Sequence, residues 1–93
     1  MITAIKPKFT VTHNSTELHV FHANTGEGLP RHQHQYNHLT MVHDGSIAVR
    51  KEGKEVIRTK DNQPVNLVAN EWHEIEALED GTVFVNVFAE GKQ

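Results

Sequence analysis

Residues 38–59, HLTMVHDGSIAVRKEGKEVIRT, alternate apolar and polar side chains and are cut twice by an acidic residue followed by glycine, at Asp44-Gly45 and Glu52-Gly53. Such pairs accept the positive backbone angles of tight turns. Placed about eight residues apart, they leave room for short strands and none for a helix of ordinary length. The segment therefore reads as strand, turn, strand, turn, strand: an antiparallel meander. The same pattern recurs on either side. TELHVFHA (16–23) alternates Leu18, Val20 and His22 against His19, Phe21 and Ala23. PVNLVANEWHEIEAL (64–78) carries a turn at Ala69-Asn70, and DGTVFVNVFAE (80–90) is a β-branched and aromatic run opened by Asp80-Gly81. No stretch of ten or more residues shows the apolar period of an amphipathic helix. Seven or eight short strands of this kind predict an all-β sandwich or barrel, closed so that its edges are hidden.

The second feature is chemical. Eight of the 93 residues are histidine, and four of them fall in RHQHQYNHLTMVHDG, 31–45. A solvated polar loop would explain such a run; so would a metal site. In a strand, His32 and His34 share a face with their Cα atoms about 6.6 Å apart, close enough for both imidazoles to reach one ion. His38 has the same parity, but a straight strand would put it about 13 Å from His34. Sharing an ion thus requires the chain to bend near Gln35-Tyr36-Asn37. A further ligand must come from elsewhere. His73 begins an apparent strand after the Asn70 turn and shares its face with Ile75. A helix over 31–43 would also place His34 and His38 together, yet Arg31 to Gln35 offers no apolar stripe for it to bury.

The remaining histidines are assigned other places. His13, His19 and His43 are expected on the surface or outer face, and His22 inside, beside Leu18 and Val20. Trp72 and Tyr36 are packing or rim residues. Glu74 and Glu76 alternate with His73 and Ile75 and point outward, so no general base is evident. Thr40 and Val42 are candidate walls of a cavity, with Phe84, Asn86 and Phe88 or their alternating neighbours; parity in that last run is open.

Composition narrows the classes of function. Nine Lys and Arg against twelve Asp and Glu give a net charge of −3, which is no footprint for nucleic acid. Cysteine is absent, so neither a disulfide framework nor a thiolate is available. MITAIKPKFT lacks the apolar core of a signal peptide, and no run of 18 apolar residues could cross a membrane. A cytoplasmic protein of one domain, 1–93, is expected, with 1–15 as an N-terminal arm that Pro7 confines to an edge or a bend.

The spacing of Gly26, His32, His34, His38 and Gly45 resembles the first motif of the cupin superfamily, with His38 where that motif usually has Glu. Val68-Ala69-Asn70-Glu71-Trp72-His73 is similar to the second motif, with Val68 in place of Pro and Asn70 in place of Gly. The resemblance spans about residues 16 to 90. It implies an antiparallel jelly-roll barrel around one divalent transition metal held by His32, His34, His38 and His73, as in small cupins with four histidine ligands. Manganese or iron is favoured by that resemblance; zinc, nickel, cobalt and copper also suit nitrogen ligands. It implies a homodimer as well. Four neutral imidazoles would leave the ion its full charge, strengthening its hold on an anion or a ligated water. Two functions stay open: a metal-dependent enzyme, either dioxygenase-like on a small chelating substrate or a redox-free sugar or keto-acid isomerase or lyase, and a non-catalytic module that binds a small ligand or is stabilised by its metal.

Overall fold

Alternation along the chain is realised as strand after strand. The computed structural model describes residues 1–89, which form β1 (Thr3–Ala4), β2 (Phe9–His13), β3 (Thr16–Ala23), β4 (Glu27–His32), β5 (His38–Asp44), β6 (Ser46–Lys51), β7 (Lys54–Thr59), β8 (Val65–Leu67), β9 (His73–Ala77) and β10 (Thr82–Ala89). Glu90, the last residue of the expected final run, lies outside the described residues. Two five-stranded sheets face each other, in the orders β1-β4-β9-β6-β7 and β2-β3-β10-β5-β8. The result is an all-β jelly roll, as expected, with more and shorter strands than the turn signals suggest. No helix among the described residues is long and apolar enough to cross a membrane.

The core fills the space between the sheets: Phe21, Val42, Ile47, Val49, Leu67, Ile75 and Phe84 among others. Phe21 and Phe84 stack with ring centroids 4.8 Å apart. Burial alternates strictly along β9 and β10, as a strand with one face on a core must. Parity in β10 is thereby settled: Thr82, Phe84, Asn86 and Phe88 point inward.

The two Gly turns differ. Glu52-Gly53 is the hairpin loop expected, joining β6 to β7 with Lys51 opposite Lys54. Asp44-Gly45 is not. β5 and β6 lie in different sheets, so the chain there turns a corner instead of returning on itself, and the expected meander is broken. Gly45 is required at this corner for two reasons. Its φ is +78°, and a Cβ would collide with Thr82 Oγ1 and lie 2.8 Å from Thr82 Cα. The N-terminal arm pairs within its own chain: β1 runs parallel to β4 and β2 antiparallel to β3. Pro7 falls between them, outside any strand, where its missing N–H costs nothing.

The outer faces of the sheets are unlike. On the first, Arg50 meets Glu55, Glu74 and Glu76 at 2.7, 2.9 and 2.8 Å, and these bonds hold its guanidinium charged. Glu74 and Glu76 point outward as expected. On the second, the alternating positions are largely apolar, and Phe9 and Val11 are exposed at 51% and 43%.

Candidate metal centre

Strand ends bring the histidines together. β4 stops at His32 and β9 starts at His73, and the two are paired across the sheet. His34 follows β4, the chain bends at Gln35-Tyr36, and His38 opens β5 in the facing sheet. The bend that the spacing demanded is present. It is tied to the Asn70 turn: Asn70 N–H donates to the His34 carbonyl at 2.7 Å, and Ala69 N–H donates to Asn37 Oδ1 at 2.7 Å. Asn70 has φ +65° and supplies the left-handed turn assigned to it. Tyr36 stacks on the His34 ring, 4.1 Å between centroids and 6° between planes, and so fixes that ring's plane.

One nitrogen of each ring is committed. Nδ1 faces a backbone carbonyl in all four: Pro30 for His32 at 2.7 Å, Tyr36 for His34 at 2.9 Å, Leu39 for His38 at 3.2 Å and Glu71 for His73 at 3.2 Å. A carbonyl only accepts, so Nδ1 carries the hydrogen and Nε2 presents its lone pair, the arrangement by which outer partners orient metal-ligating histidines. Ring centroids are 4.3 Å apart for His32–His73, 4.9 Å for His34–His73 and 5.6 Å for His32–His34. One ligand nitrogen from each of these three rings lies within 4.8 Å of the others. A common point therefore sits no more than about 2.8 Å from each, against about 2.0–2.1 Å for a zinc–imidazole bond. His38 stands beside this trio, its ring 4.8 Å from that of His34 and 5.5 Å from that of His73.

For His34, His38 and His73, burial favours the neutral ring. Burial pushes His38 and His73 down to about 4, and for His73 the neighbouring imidazoles push the same way. His34 is lowered too, by burial first and against the opposing pull of the Tyr36 carbonyl. His73 is wholly buried, yet its Nε2 has no hydrogen-bond partner. Leaving a buried acceptor unpaired costs about 1–3 kcal/mol. A cation at this point would remove that cost, and neutral, pre-oriented nitrogens are the donors it needs. The residues present fit a divalent transition metal.

No family model matches the sequence, and no curated protein matches it. Solved structures do. A cupin-2 domain-containing protein from Halorhodospira halophila superposes with a TM-score of 0.80 at 18% identity, covering 91% of this chain and 64% of its own. KdgF from Halomonas sp. gives 0.78 at 19% identity, covering 87% and 76%. A cupin-2 domain-containing protein from Shewanella frigidimarina gives 0.73 at 8% identity, covering 92% and 84%. The chain has the cupin fold.

His32, His34 and His38 open onto a pocket of about 270 Å³ at this end of the cupin barrel, lined also by His19, Leu29, Tyr36, Asn86 and Phe88. Two of these correct the sequence reading. His19 was expected on the outer face and His22 inside; instead Glu17, His19, Phe21 and Ala23 form the inner face of β3 and His22 is exposed. Leu18 and Val20 misled because the outer face of that sheet is itself apolar. The available signal was Phe21 with Ala23, a large and a small apolar residue of one parity. Tyr36 is a wall of the site as well as a rim residue. His13 and His43 are exposed as expected. Trp72 is capped by the Arg31 guanidinium, 4.1 Å above the ring. Thr40 and Val42 point inward, and the Thr40 hydroxyl donates to Asn86 Oδ1 at 2.6 Å.

Proposed function

We propose that this cupin binds one divalent transition ion through His32, His34 and His73, with His38 as fourth ligand, and that it acts on a small oxygen-chelating substrate in the adjoining pocket. The observation carrying this reading is the set of four imidazoles, each anchored at Nδ1 and bare at Nε2, around a buried nitrogen with no protein partner. The ion would supply Lewis acidity and, as manganese or iron, one-electron chemistry. The chain's own contribution is to orient the ligand rings and to confine the substrate between Leu29, Tyr36 and Phe88. Apart from Glu17 behind His19, no carboxylate among the described residues lines that pocket, so a divalent ion bound by neutral rings makes it attractive to an anion.

The activity we propose first is oxygen-dependent cleavage of a diketone, catechol or similar chelator. Elemental analysis of protein purified without a tag, then oxygen uptake and product formation with diketones, catechols and uronates, tests both levels. One equivalent of manganese or iron with uptake supports the reading. Metal-dependent conversion without oxygen supports an isomerase or lyase, a variant favoured by the histidine–carboxylate pair described below. Metal uptake with inactivity throughout leaves a binding module. Absence of metal binding removes the site.

We also propose that the apolar outer face, with Phe9, Val11 and Met41 exposed, joins two copies of the chain. Light scattering at micromolar concentration should give a dimer, and a monomer there refutes it.

A further inference from the structure

The sheet facing His32 and His73 carries an imidazole that metal binding does not use. His19 on β3 is the register partner of Asn86 on β10, which is in turn the partner of Thr40 on β5. The three side chains form one row across the inner face. Glu17, two residues before His19 and on the same face, is only 7% exposed, and its Oε2 lies 2.7 Å from His19 Nε2. A carboxylate accepts, so Nε2 carries the hydrogen and the neutral ring keeps its lone pair at Nδ1. Phe88 meets the ring edge-on at 4.8 Å, which limits its rotation. Beside it, Thr40 occupies Asn86 Oδ1, leaving the amide NH2 as the uncommitted end. Both residues line the pocket that His32, His34 and His38 open onto.

A lone pair and an N–H donor side by side complement a hydroxyl next to a second oxygen: an enol of a dicarbonyl, or a hydroxy-carbonyl. We propose that His19, held by Glu17, is the proton acceptor for such a ligand, and that Asn86 donates to the neighbouring oxygen. The step balances within the pocket. The ligand O–H bond breaks, an N–H bond forms at His19 Nδ1, and the electron pair stays on the ligand oxygen. Glu17 faces the resulting imidazolium and offsets its charge. No electron is exchanged. The proposal rests on reading this pocket as the ligand site, and it concerns proton transfer in whichever reaction follows.

The test uses zinc-loaded, histidine-15N-labelled protein and the enol chelator maltol. Before ligand, His19 should show hydrogen at Nε2 and none at Nδ1; at saturation Nδ1 should gain one. His19→Gln should keep its zinc and bind maltol about tenfold more weakly, the value of one hydrogen bond to a charged or developing charge. Glu17→Gln should keep zinc and redistribute the His19 tautomers. Unchanged His19 nitrogen signals at saturation overturn the proposal with no variant needed. So does unaltered maltol affinity in His19→Gln, the result a purely structural pair would give. Failure of the metal reading shows separately, as wild-type protein that takes up no zinc. Maltol titration of the metal-free protein then decides, and absence of a new proton on His19 overturns this proposal too.

Discussion

Where β5 ends and β10 begins, Thr82 is wholly buried and its hydroxyl donates to the Glu79 carbonyl at 2.7 Å, while Ser46 Oγ donates to Glu79 Oε2 at 2.7 Å. At the other end of the same barrel His73 is equally buried, and its Nε2 meets nothing. The far end spends its polar groups on one another and on holding the corner at Gly45. At the histidine end, His32, His34, His38 and His73 each tie Nδ1 to a nearby backbone carbonyl and withhold Nε2. A buried polar group whose role is structural finds its partner within the fold; the orphaned Nε2 of His73, beside three other imidazoles, marks a place where something else completes the bonding.

That contrast can be broken from either side. The largest effect on folding is expected from Gly45→Val. The side chain would need φ +78° and would meet Thr82 backbone at 2.8 Å, so urea unfolding should show a loss of about 3 kcal/mol or more. At the histidine end the large effect is on metal. His73→Leu should weaken binding by at least about 100-fold in a competitive chelator titration, since even outer partners of a ligand are worth about 10–100-fold. The stability of the metal-free protein should change by no more than about 1 kcal/mol, because the substitution removes an unpaired acceptor. His38→Leu should cost less affinity than His73→Leu; the reverse order would move the site toward β5.

Acid sharpens the comparison. His38 and His73 sit at about 4 in the folded chain against 6.5 for a free imidazole. As pH falls, the unfolded chain takes up these protons first. Stability is complete above about 6.5 and is lost progressively toward about 4. Urea midpoints of the metal-free protein at pH 7, 5.5 and 4.5 should follow that course, and the double variant His38→Leu, His73→Leu should flatten it. Metal affinity falls in the same direction, because protons compete for the same lone pairs. The smallest effect is at the far end. Thr82→Val preserves shape and deletes one hydroxyl, and should cost about 1–2 kcal/mol, some 4–16 °C in Tm for a domain of this size, with metal binding untouched.

Much of the architecture was legible along the chain. Turn residues at Gly53, Asn70 and Gly81 and the alternation between them located the strands, because the two-residue period and the positive backbone angle are local properties. The bend at Gln35-Tyr36 followed from the distance a straight strand would impose on His34 and His38. Asp44-Gly45 shows where local reasoning stops: a corner between sheets and a hairpin loop use the same residues, and only the partner of the next strand tells them apart. β3 shows the second limit. Two apolar faces on one strand give no clue to which faces the core, so His19 was placed outside and the proton-handling group of the pocket was missed.

What the order of residues determined by itself is the all-β character of the chain and the presence of imidazoles able to share an ion, since both depend on spacing within a few residues. Which three of them converge, that His38 stands beside them, and that His19, backed by Glu17, and Asn86 line the pocket were decided by tertiary structure alone. Those neighbours are set by pairing between distant strands, as in His19 beside Asn86, 67 positions away, and pairing is a property of the whole barrel.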